Sequence, residues 1–253
     1  MAKPDPLFDL GAKRLLIVGA AGEIGAGMAR ALAARGARLA LGDLAGDDLG
    51  AIAEEVDAAL AAGIDVTDEG AVERFVLDAA AALGGVDGLV NAAGILPIAK
   101  AEVLAPESFR TCIDVNLTGA FLLAVAARRA MLETGGGGAQ VHLASVSSFV
   151  ANPGYAAYAS SKAGLSHLVR VLAREWARDG ITVNALAPSM LEQGMAAGFL
   201  TEPRFRERVV AEIPLRRLAT VEDLIGPLVM LLGQGGQYVT GQTIPVDGGR
   251  TLV

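Results

Sequence analysis

Short apolar runs alternate along the chain with longer segments whose apolar positions recur at helical spacing. Apolar runs of about four to eight residues favour buried strands, whereas longer patterns with a period near 3.6 favour helices. The pattern predicts strands at Leu15–Val18, Arg38–Leu41, Ile64–Val66, Gly88–Val90, Gln140–Ala144, Ile181–Ala187 and Gln242–Val246. It predicts helices at Ile24–Arg35, Asp48–Ala59, Val72–Leu83, Pro106–Asn116, Thr118–Thr134, Tyr158–Arg178 and Val221–Leu232.

This alternation indicates how the predicted elements are arranged. Strands separated by helices imply right-handed βαβ crossovers and a parallel sheet. We therefore predict an α/β protein with a Rossmann fold, in which a doubly wound, mostly parallel, seven-stranded sheet carries helices on both faces. No linker, repeat or change in composition divides the chain, so residues 1–253 are predicted to form one dinucleotide-binding and catalytic domain, with residues 1–10 as an N-terminal extension.

Composition narrows the possible partners. Hydrophobic residues make up 53% of the 253 positions, enough for a large core, and the net charge of −7 disfavours binding to nucleic acid. The single cysteine, Cys112, allows neither an intrachain disulfide nor a thiolate metal site. Residues 1–14 lack the apolar core of a signal peptide, and no uncharged apolar run reaches the roughly 18–20 residues that span a membrane. We expect a cytoplasmic protein with no nucleic-acid or membrane partner.

The stretch VGAAGEIGAG at 18–27 joins the first strand to the first helix. Gly19, Gly22 and Gly25 permit a tight turn and a close approach of backbone N–H groups to a pyrophosphate at the helix N-terminus. This context predicts a dinucleotide loop that also includes Ile24. We predict that Glu23 points to solvent or to a neighbouring basic group, because a carboxylate suits the start of a helix.

The ends of the next strands supply further candidate cofactor contacts. Asp43 lies 24 positions after Gly19, where an acid accepts hydrogen bonds from the adenosine ribose and repels a 2′-phosphate. Leu44 follows it, and the glycine loop contains no Arg or Lys, so NAD is favoured over NADP. Later strand ends add Asp65 and Val66 near the adenine, and the segment Asn91, Ala92, Ala93 and Gly94.

Tyr158 and Lys162 lie four residues apart at the start of a helix and so face the same side. A nearby ammonium group lowers the pKa of a phenol, which otherwise titrates near 10. Such a pair exchanges a proton with a substrate hydroxyl or carbonyl. Ser145, at the end of the fifth strand, adds a hydroxyl to this candidate catalytic site, whereas Tyr155 has Ala159 four residues on and is assigned to the pocket wall.

Taken together, these motifs resemble the short-chain dehydrogenase/reductase family in its classical form, over roughly residues 10–250. The resemblance also uses DVTD at 65–68, NAAG at 91–94, VNLTG at 115–119, VNALAP at 183–188 and VDGG at 246–249. It implies that Tyr158 is the acid/base and that Ser145 binds the substrate oxygen. It further implies that Lys162 holds the nicotinamide ribose and lowers the tyrosine pKa, and that Asn116 anchors a water in a proton relay.

Three positions depart from the family pattern. Glu23 stands where a middle glycine is usual, and Gly22 gives the glycine spacing of the extended branch, whose chains are longer. Pro188 is followed by Ser189 instead of glycine, and Gln193 stands where a threonine commonly binds the nicotinamide carboxamide. The expected contacts at the nicotinamide end of the cofactor are Pro188, Ser189, Met190 and Gln193.

The resemblance places a substrate lid at residues 189–213. Its apolar residues and those of nearby loops predict a substrate with a hydrophobic body, bound by Leu96, Tyr155, Met190, Met195 and Phe199, with Ser145, Ser147 and Asn152 as polar contacts. Arg204, Arg206 and Arg208 fit either an acidic substrate or a solvated helix face, and the solvated face is favoured. Neither His142 nor His167 has the spacing of a metal site.

Several functions remain open at this level. The favoured one is an NAD-dependent dehydrogenase of a secondary alcohol, or the reverse ketone reductase. The alternatives are a 3-oxoacyl thioester reductase, a non-catalytic NAD-binding protein on the same fold, and an extended-type epimerase suggested by the glycine spacing alone. The resemblance also predicts a homotetramer paired through the two long helical regions, 106–134 and 158–178.

Overall fold

The computed structural model describes residues 5–44, 47–195 and 197–252. Residues 1–4 of the predicted extension, residue 196 of the predicted lid and residue 253 lie outside the described residues. Seven strands form one sheet in the order β3-β2-β1-β4-β5-β6-β7, and every neighbouring pair is parallel. The strands are β1 Arg14–Val18, β2 Arg38–Asp43, β3 Leu60–Gly63, β4 Gly88–Asn91, β5 Gly138–Leu143, β6 Ile181–Pro188 and β7 Thr243–Val246.

Helices cover both faces of the sheet, so the predicted doubly wound α/β fold is confirmed. They are α1 Glu23–Ala33, α2 Asp47–Glu55, α3 Glu69–Leu83, α4 Pro106–Ile113, α5 Gly119–Glu133, α6 Ala156–Trp176, α7 Pro203–Ala211 and α8 Val221–Leu232. Along β1, Leu16 and Val18 join the core beneath α3, α5 and α6, whereas Leu15 and Ile17 join the core beneath α1 and α8. Burial on both faces explains why the central strands are almost continuously apolar.

The strand order reverses between β1 and β4. The chain leaves β1 toward β2 and β3, and then crosses back to place β4 on the other side of β1. Loops on the two sides of this switch point diverge and open a crevice at the carboxyl ends of the strands. The glycine loop after β1 and the NAAG segment after β4 therefore lie beside each other at the place where such sheets bind ligands.

Two glycines make that close approach possible. Gly19 has φ of 85°, and a Cβ there would lie 2.5 Å from the backbone nitrogen of Ala93. A Cβ on Gly25 would lie 2.0 Å from the carbonyl oxygen of Gly19. The first turn of α1 thus packs directly on the loop that precedes it, and any side chain at either position would separate them.

Some predicted element boundaries are wrong. The predicted helix Asp48–Ala59 ends at Glu55, because Asp57 adopts φ of 50° and the chain turns into β3. The third strand is Leu60–Gly63, paired with β2, and the predicted Ile64–Val66 follows it. The two helices predicted at 106–134 form a continuous helix whose α4 and α5 are joined by a π-helical segment, Asp114–Thr118.

By length and composition, that continuous helix, Pro106–Glu133, is apolar enough to cross a membrane. Its buried residues, among them Leu123 and Ala127, pack into the core beneath the sheet with α3 and α6. A core helix of a globular domain passes the same test of length and composition, so the test alone does not identify a membrane span.

Candidate active site

Ser145, Tyr158 and Lys162 meet at the carboxyl end of β5. Ser145 follows β5 in an extended conformation, and its hydroxyl accepts a hydrogen bond from the backbone N–H of Ser147 at 3.1 Å. Tyr158 and Lys162 lie in the first two turns of α6, as the spacing of four predicts, and all three residues are buried. The tyrosine ring is held edge-on against Tyr155, with ring centroids 5.9 Å apart.

Burial raises the pKa of Tyr158 to about 12, while the Ser145 hydroxyl acts in the opposite direction. The lysine Nζ lies 5.8 Å from the tyrosine ring centroid, and its role in lowering this pKa stays a prediction. At neutral pH the phenol therefore holds its proton.

The Lys162 ammonium points to the end of β5, where Nζ donates a hydrogen bond to the carbonyl oxygen of Leu143 at 2.7 Å. Burial lowers its pKa to about 8. A Cβ added to Gly94 would lie 3.4 Å from this Nζ and 3.1 Å from the side-chain oxygen of Asn116. The glycine of the NAAG segment thus leaves room for both groups.

Asn116 lies in the π-helical segment, a geometry that often marks functional sites. Its side-chain oxygen accepts from the Ile95 N–H at 2.8 Å, and its Nδ2 donates to the Ile95 carbonyl at 3.0 Å and to the Ser161 hydroxyl at 3.0 Å. The side chain thereby fixes the backbone that follows NAAG beside α6. Its role in a proton relay stays a prediction.

The carboxylate of Asp43 anchors the glycine loop. One oxygen accepts from the Ala21 N–H at 2.8 Å, and the other accepts from the Leu44 N–H at 2.7 Å. Leu44 itself is exposed. The negative charge thus sits at the end of β2 beside the loop, where the sequence predicts the adenosine ribose.

The remaining predicted cofactor residues lie at neighbouring strand ends. The Asp65 carboxylate accepts from the backbone and the hydroxyl of Thr67, which lowers its pKa. Val66 is buried, and a Cβ on Gly119 would lie 2.8 Å from it. Asn91 is buried and accepts from the Ala93 N–H at 3.1 Å. These contacts shape the loops, and the predicted adenine contacts stay predictions.

A cavity of about 510 Å³ lies over the catalytic residues. It is lined by many of the predicted cofactor and substrate residues: Ile24, Ala92, Gly94, Leu96, Ser145, Ser147, Asn152, Tyr155, Tyr158, Lys162, Pro188, Ser189, Met190, Gln193 and Met195. Phe199 does not line it. That ring is half exposed and lies 6.4 Å from the ring of Phe205, so the lid places it on the outer side.

Comparisons with known proteins agree with this architecture. Residues 19–251 match the family model described as enoyl-(acyl carrier protein) reductase. The cis-4-hydroxycyclohexanecarboxylate dehydrogenase of Sinomonas cyclohexanicum is 37% identical, over 96% of this chain and 98% of its own. The L-rhamnose 1-dehydrogenase (NAD(P)(+)) of Azotobacter vinelandii is 36% identical, over 94% and 96%. A crystal structure of a short-chain type dehydrogenase/reductase from Mycobacterium marinum has a TM-score of 0.92 and 35% identity, with 98% of each chain covered.

The chain belongs to the short-chain dehydrogenase/reductase family. The named relatives above are dehydrogenases, which supports a general oxidoreductase role. Both relatives match this chain over nearly their whole lengths.

Glu23, the residue of the glycine loop that departs from the family pattern, has a specific hydrogen-bond partner. The carboxylate of Glu23 accepts a hydrogen bond from the backbone N–H of Gly194, 171 positions away in the lid. Glu23 is exposed, in agreement with the prediction that it points to solvent, and the lid adds a backbone donor over the first turn of α1. Ile24 also contacts this point, since a Cβ on Gly194 would lie 3.2 Å from its side chain.

The lid adds cavity residues that the sequence analysis did not assign to the site. Phe205, Val209, Glu212 and Ile213, with Arg250, line the same cavity. Helical spacing of apolar residues over 205–213 is the signal that points to them, since Phe205, Val209 and Ile213 recur every four residues. Arg250 follows VDGG and forms an ion pair with Glu212 at 2.7 Å. This ion pair holds the segment after β7 beside the cavity.

His142 is buried behind the site on β5, where its Nδ1 lies 3.4 Å from Nδ2 of Asn91. Burial, reinforced by the charge of Lys162, lowers its pKa to about 4. The unfolded chain therefore binds a proton near pH 6.5 that the folded protein does not accept until about pH 4. Stability is consequently lost as the pH falls through this window.

We expect His142→Asn to remove this acid sensitivity. Between pH 7 and pH 4.5 the wild-type free energy of unfolding should fall by about 2–3 kcal/mol more than that of the variant, because one pKa unit corresponds to 1.36 kcal/mol. Urea unfolding at the two pH values measures the difference. His167→Asn, on the exposed face of α6, is the matched control and should keep the wild-type pH dependence. Equal losses for the wild type and His142→Asn would contradict the prediction.

Proposed function

We propose that this protein is an NAD-dependent oxidoreductase that interconverts a secondary alcohol and the corresponding ketone. The rest of the substrate molecule is hydrophobic. The observation that carries the proposal is the buried group of Ser145, Tyr158 and Lys162 on the wall of a cavity that is otherwise mostly apolar. A buried phenol beside a second hydroxyl and an ammonium is suited to moving one proton to or from a carbinol oxygen. The substrates named for the relatives, a sugar and a hydroxycyclohexane acid, carry such carbinols.

The residues present fit a nicotinamide dinucleotide. Gly19 and Gly25 let the glycine loop pack closely against the segment after β4 and against the first turn of α1. The N-terminus of α1 follows this loop directly and suits a pyrophosphate. At the other end of the cavity, the hydroxyl oxygen of Ser189 and the side-chain carbonyl of Gln193 are buried without a hydrogen-bond partner in the described part of the chain. Both are suited to a carboxamide, so the two departures from the family pattern retain polar groups where the nicotinamide would lie.

The chemistry then divides between the cofactor and the protein. When bound, the nicotinamide accepts or supplies the hydride. In ketone reduction, Tyr158 donates its proton to the carbonyl oxygen while Ser145 donates a hydrogen bond to the same oxygen, and in alcohol oxidation Tyr158 takes the proton back. The raised pKa of Tyr158 favours the protonated phenol. An ammonium beside a phenolate favours its charged form, and this is the role we propose for Lys162 toward the phenolate that forms transiently.

We propose NAD over NADP because of the Asp43 carboxylate. Asp43→Asn keeps an acceptor for the loop but removes the negative charge that opposes a 2′-phosphate. We expect the ratio of kcat/KM for NADP to that for NAD to rise by about 10- to 100-fold, in line with one to three kcal/mol of like-charge repulsion. Steady-state kinetics with both cofactors measures the ratio.

Asp65→Asn is the matched control, since it removes a carboxylate at the next strand end. Its ratio should stay within a few fold of wild type. An Asp43→Asn ratio equal to that of the wild type would mean that Asp43 does not set the cofactor preference.

A panel of alcohols and ketones, run with NAD and with NADP and followed at the nicotinamide absorbance, tests the function itself. Net reduction of NAD by secondary alcohols supports the proposal. Turnover restricted to 3-oxoacyl thioesters with NADPH would favour the thioester reductase. Binding of NADH without turnover of any substrate would favour a non-catalytic protein, and sugar isomerisation without net change in free NAD would favour an epimerase.

A further inference from the structure

The charges around the cavity do not match those of the protein as a whole. The net charge of the chain is −7, yet among the described residues the charged side chains that line the cavity are three cations and one carboxylate: Lys162, Arg208, Arg250 and Glu212. The carboxylate of Glu212 binds Arg250 at 2.7 Å and offsets that charge. The lining therefore keeps a positive balance in a protein that is otherwise acidic.

Of the two remaining cations, Lys162 lies at the reacting end, where its Nζ donates to the Leu143 carbonyl. Arg208 lies on the lid, on helix α7. Its guanidinium stacks over the ring of Phe205, with 5.1 Å between the guanidinium carbon and the ring centroid. Within the described residues, no carboxylate oxygen lies within 4.0 Å of this guanidinium.

The other arginines of α7 have different surroundings. Arg206 forms an ion pair with Glu192 at 2.6 Å and does not line the cavity. Arg204 is exposed and does not line the cavity either. All three arginines are exposed, as a solvated helix face predicts, and of the three Arg208 also lines the cavity.

From these contacts we propose that Arg208 binds a carboxylate group of the substrate, so that the substrate is a hydroxy acid or the corresponding oxo acid. The inference rests on the proposed function. A guanidinium stacked on an aromatic ring has its plane fixed while its N–H groups remain available for a carboxylate, which it binds through two parallel hydrogen bonds. The net positive charge of the residues that line the cavity favours an anionic substrate, although the whole chain carries a net negative charge.

The cavity that Arg208 shares with the catalytic group indicates what joins the two ends of the substrate. Met190, Val209 and Ile213 contribute apolar surface to its lining. An apolar wall contacts a hydrocarbon spacer and does not supply partners for further hydroxyl groups. The substrate class is thus a carboxylate joined through an apolar body to a secondary carbinol.

The test compares alcohols that differ only in charge. Hydroxy acids of several spacer lengths, cis-4-hydroxycyclohexanecarboxylate among them, are assayed with NAD beside their neutral carboxamides. The enzymes are wild type, Arg208→Gln, Arg208→Lys and the matched control Arg204→Gln. We expect wild type to prefer at least one acid over its amide by about tenfold or more in kcat/KM, mainly through KM, as a charged hydrogen bond contributes on binding.

Arg208→Gln should collapse this preference, Arg208→Lys should restore part of it, and Arg204→Gln should keep it. Equal turnover of acids and amides by wild type, or a preference for the amides, would overturn the inference and leave the proposed function standing. A preference for acids that survives Arg208→Gln would overturn the assignment to Arg208. Absence of turnover for every alcohol with either cofactor would overturn the proposed function, and this inference with it.

Discussion

Tyr158→Phe is expected to lower kcat for alcohol oxidation by about 10²- to 10⁴-fold, the usual contribution of a positioned acid/base. The variant keeps the ring that packs against Tyr155 and removes only the hydroxyl that exchanges the proton. Because the tyrosine is buried and its ring is retained, the fold and NADH binding should both survive. Initial-rate kinetics, with NADH binding followed by fluorescence, separate the chemical step from cofactor binding.

Tyr155→Phe is the matched control for this prediction. Tyr155 lines the same cavity, but it has no lysine four residues on, and we expect its loss to change kcat by less than about tenfold. If Tyr158→Phe retained turnover within a few fold of wild type, Tyr158 would not be the acid/base, whichever substrate is used.

Gly25→Ala is expected to lower the free energy of unfolding by about 1–3 kcal/mol or more, the typical cost of overpacking. The new Cβ would lie 2.0 Å from the Gly19 carbonyl oxygen and 2.8 Å from its carbon, and both are backbone atoms that cannot rotate away. The first turn of α1 would have to move off the glycine loop. We therefore also expect affinity for NAD to fall by at least about tenfold, since the N–H groups of that turn would no longer face the pyrophosphate.

Gly22→Ala controls for adding a methyl group to the same loop. Gly22 has φ of −67°, and a Cβ there has only the Gly19 oxygen near it, at 3.6 Å. Its unfolding free energy without cofactor should match that of the wild type. Urea unfolding of the three proteins tests the contrast, and equal stability of Gly25→Ala and wild type would show that the close packing of loop and helix is unnecessary.

The sequence predicts the layers of this fold well, because buried strands and amphipathic helices leave different periods in the chain. It fails at β3. Residues 58–63 are mostly alanine, which has the highest helix propensity, so the pattern extends the preceding helix. Only pairing with β2 at the edge of the sheet makes Leu60–Gly63 a strand. Tertiary contacts of this kind leave little signal in a single local window.

In the candidate site, too, features with a local sequence signal could be predicted, whereas those set by tertiary contacts could not. The glycine loop, Asp43 and the pair of Tyr158 and Lys162 are close in sequence or follow strands, and the sequence predicts where they meet. The partner of Glu23 is 171 positions away, and the cavity side of Arg208 depends on how α7 folds over the site. The pKa of Tyr158 likewise depends on burial by distant elements.

The hydrogen bond between Glu23 and Gly194 bears on the order in which the ligands bind. It ties the first turn of α1, where the pyrophosphate would lie, to the segment that closes the cavity above the substrate. A substrate seated first under that segment would obstruct the entry of the dinucleotide, so we expect NAD to bind first and NADH to leave last. Product inhibition should then show NADH competing with NAD and the ketone not competing with it. Competition between the ketone and NAD would indicate that the two ligands enter independently.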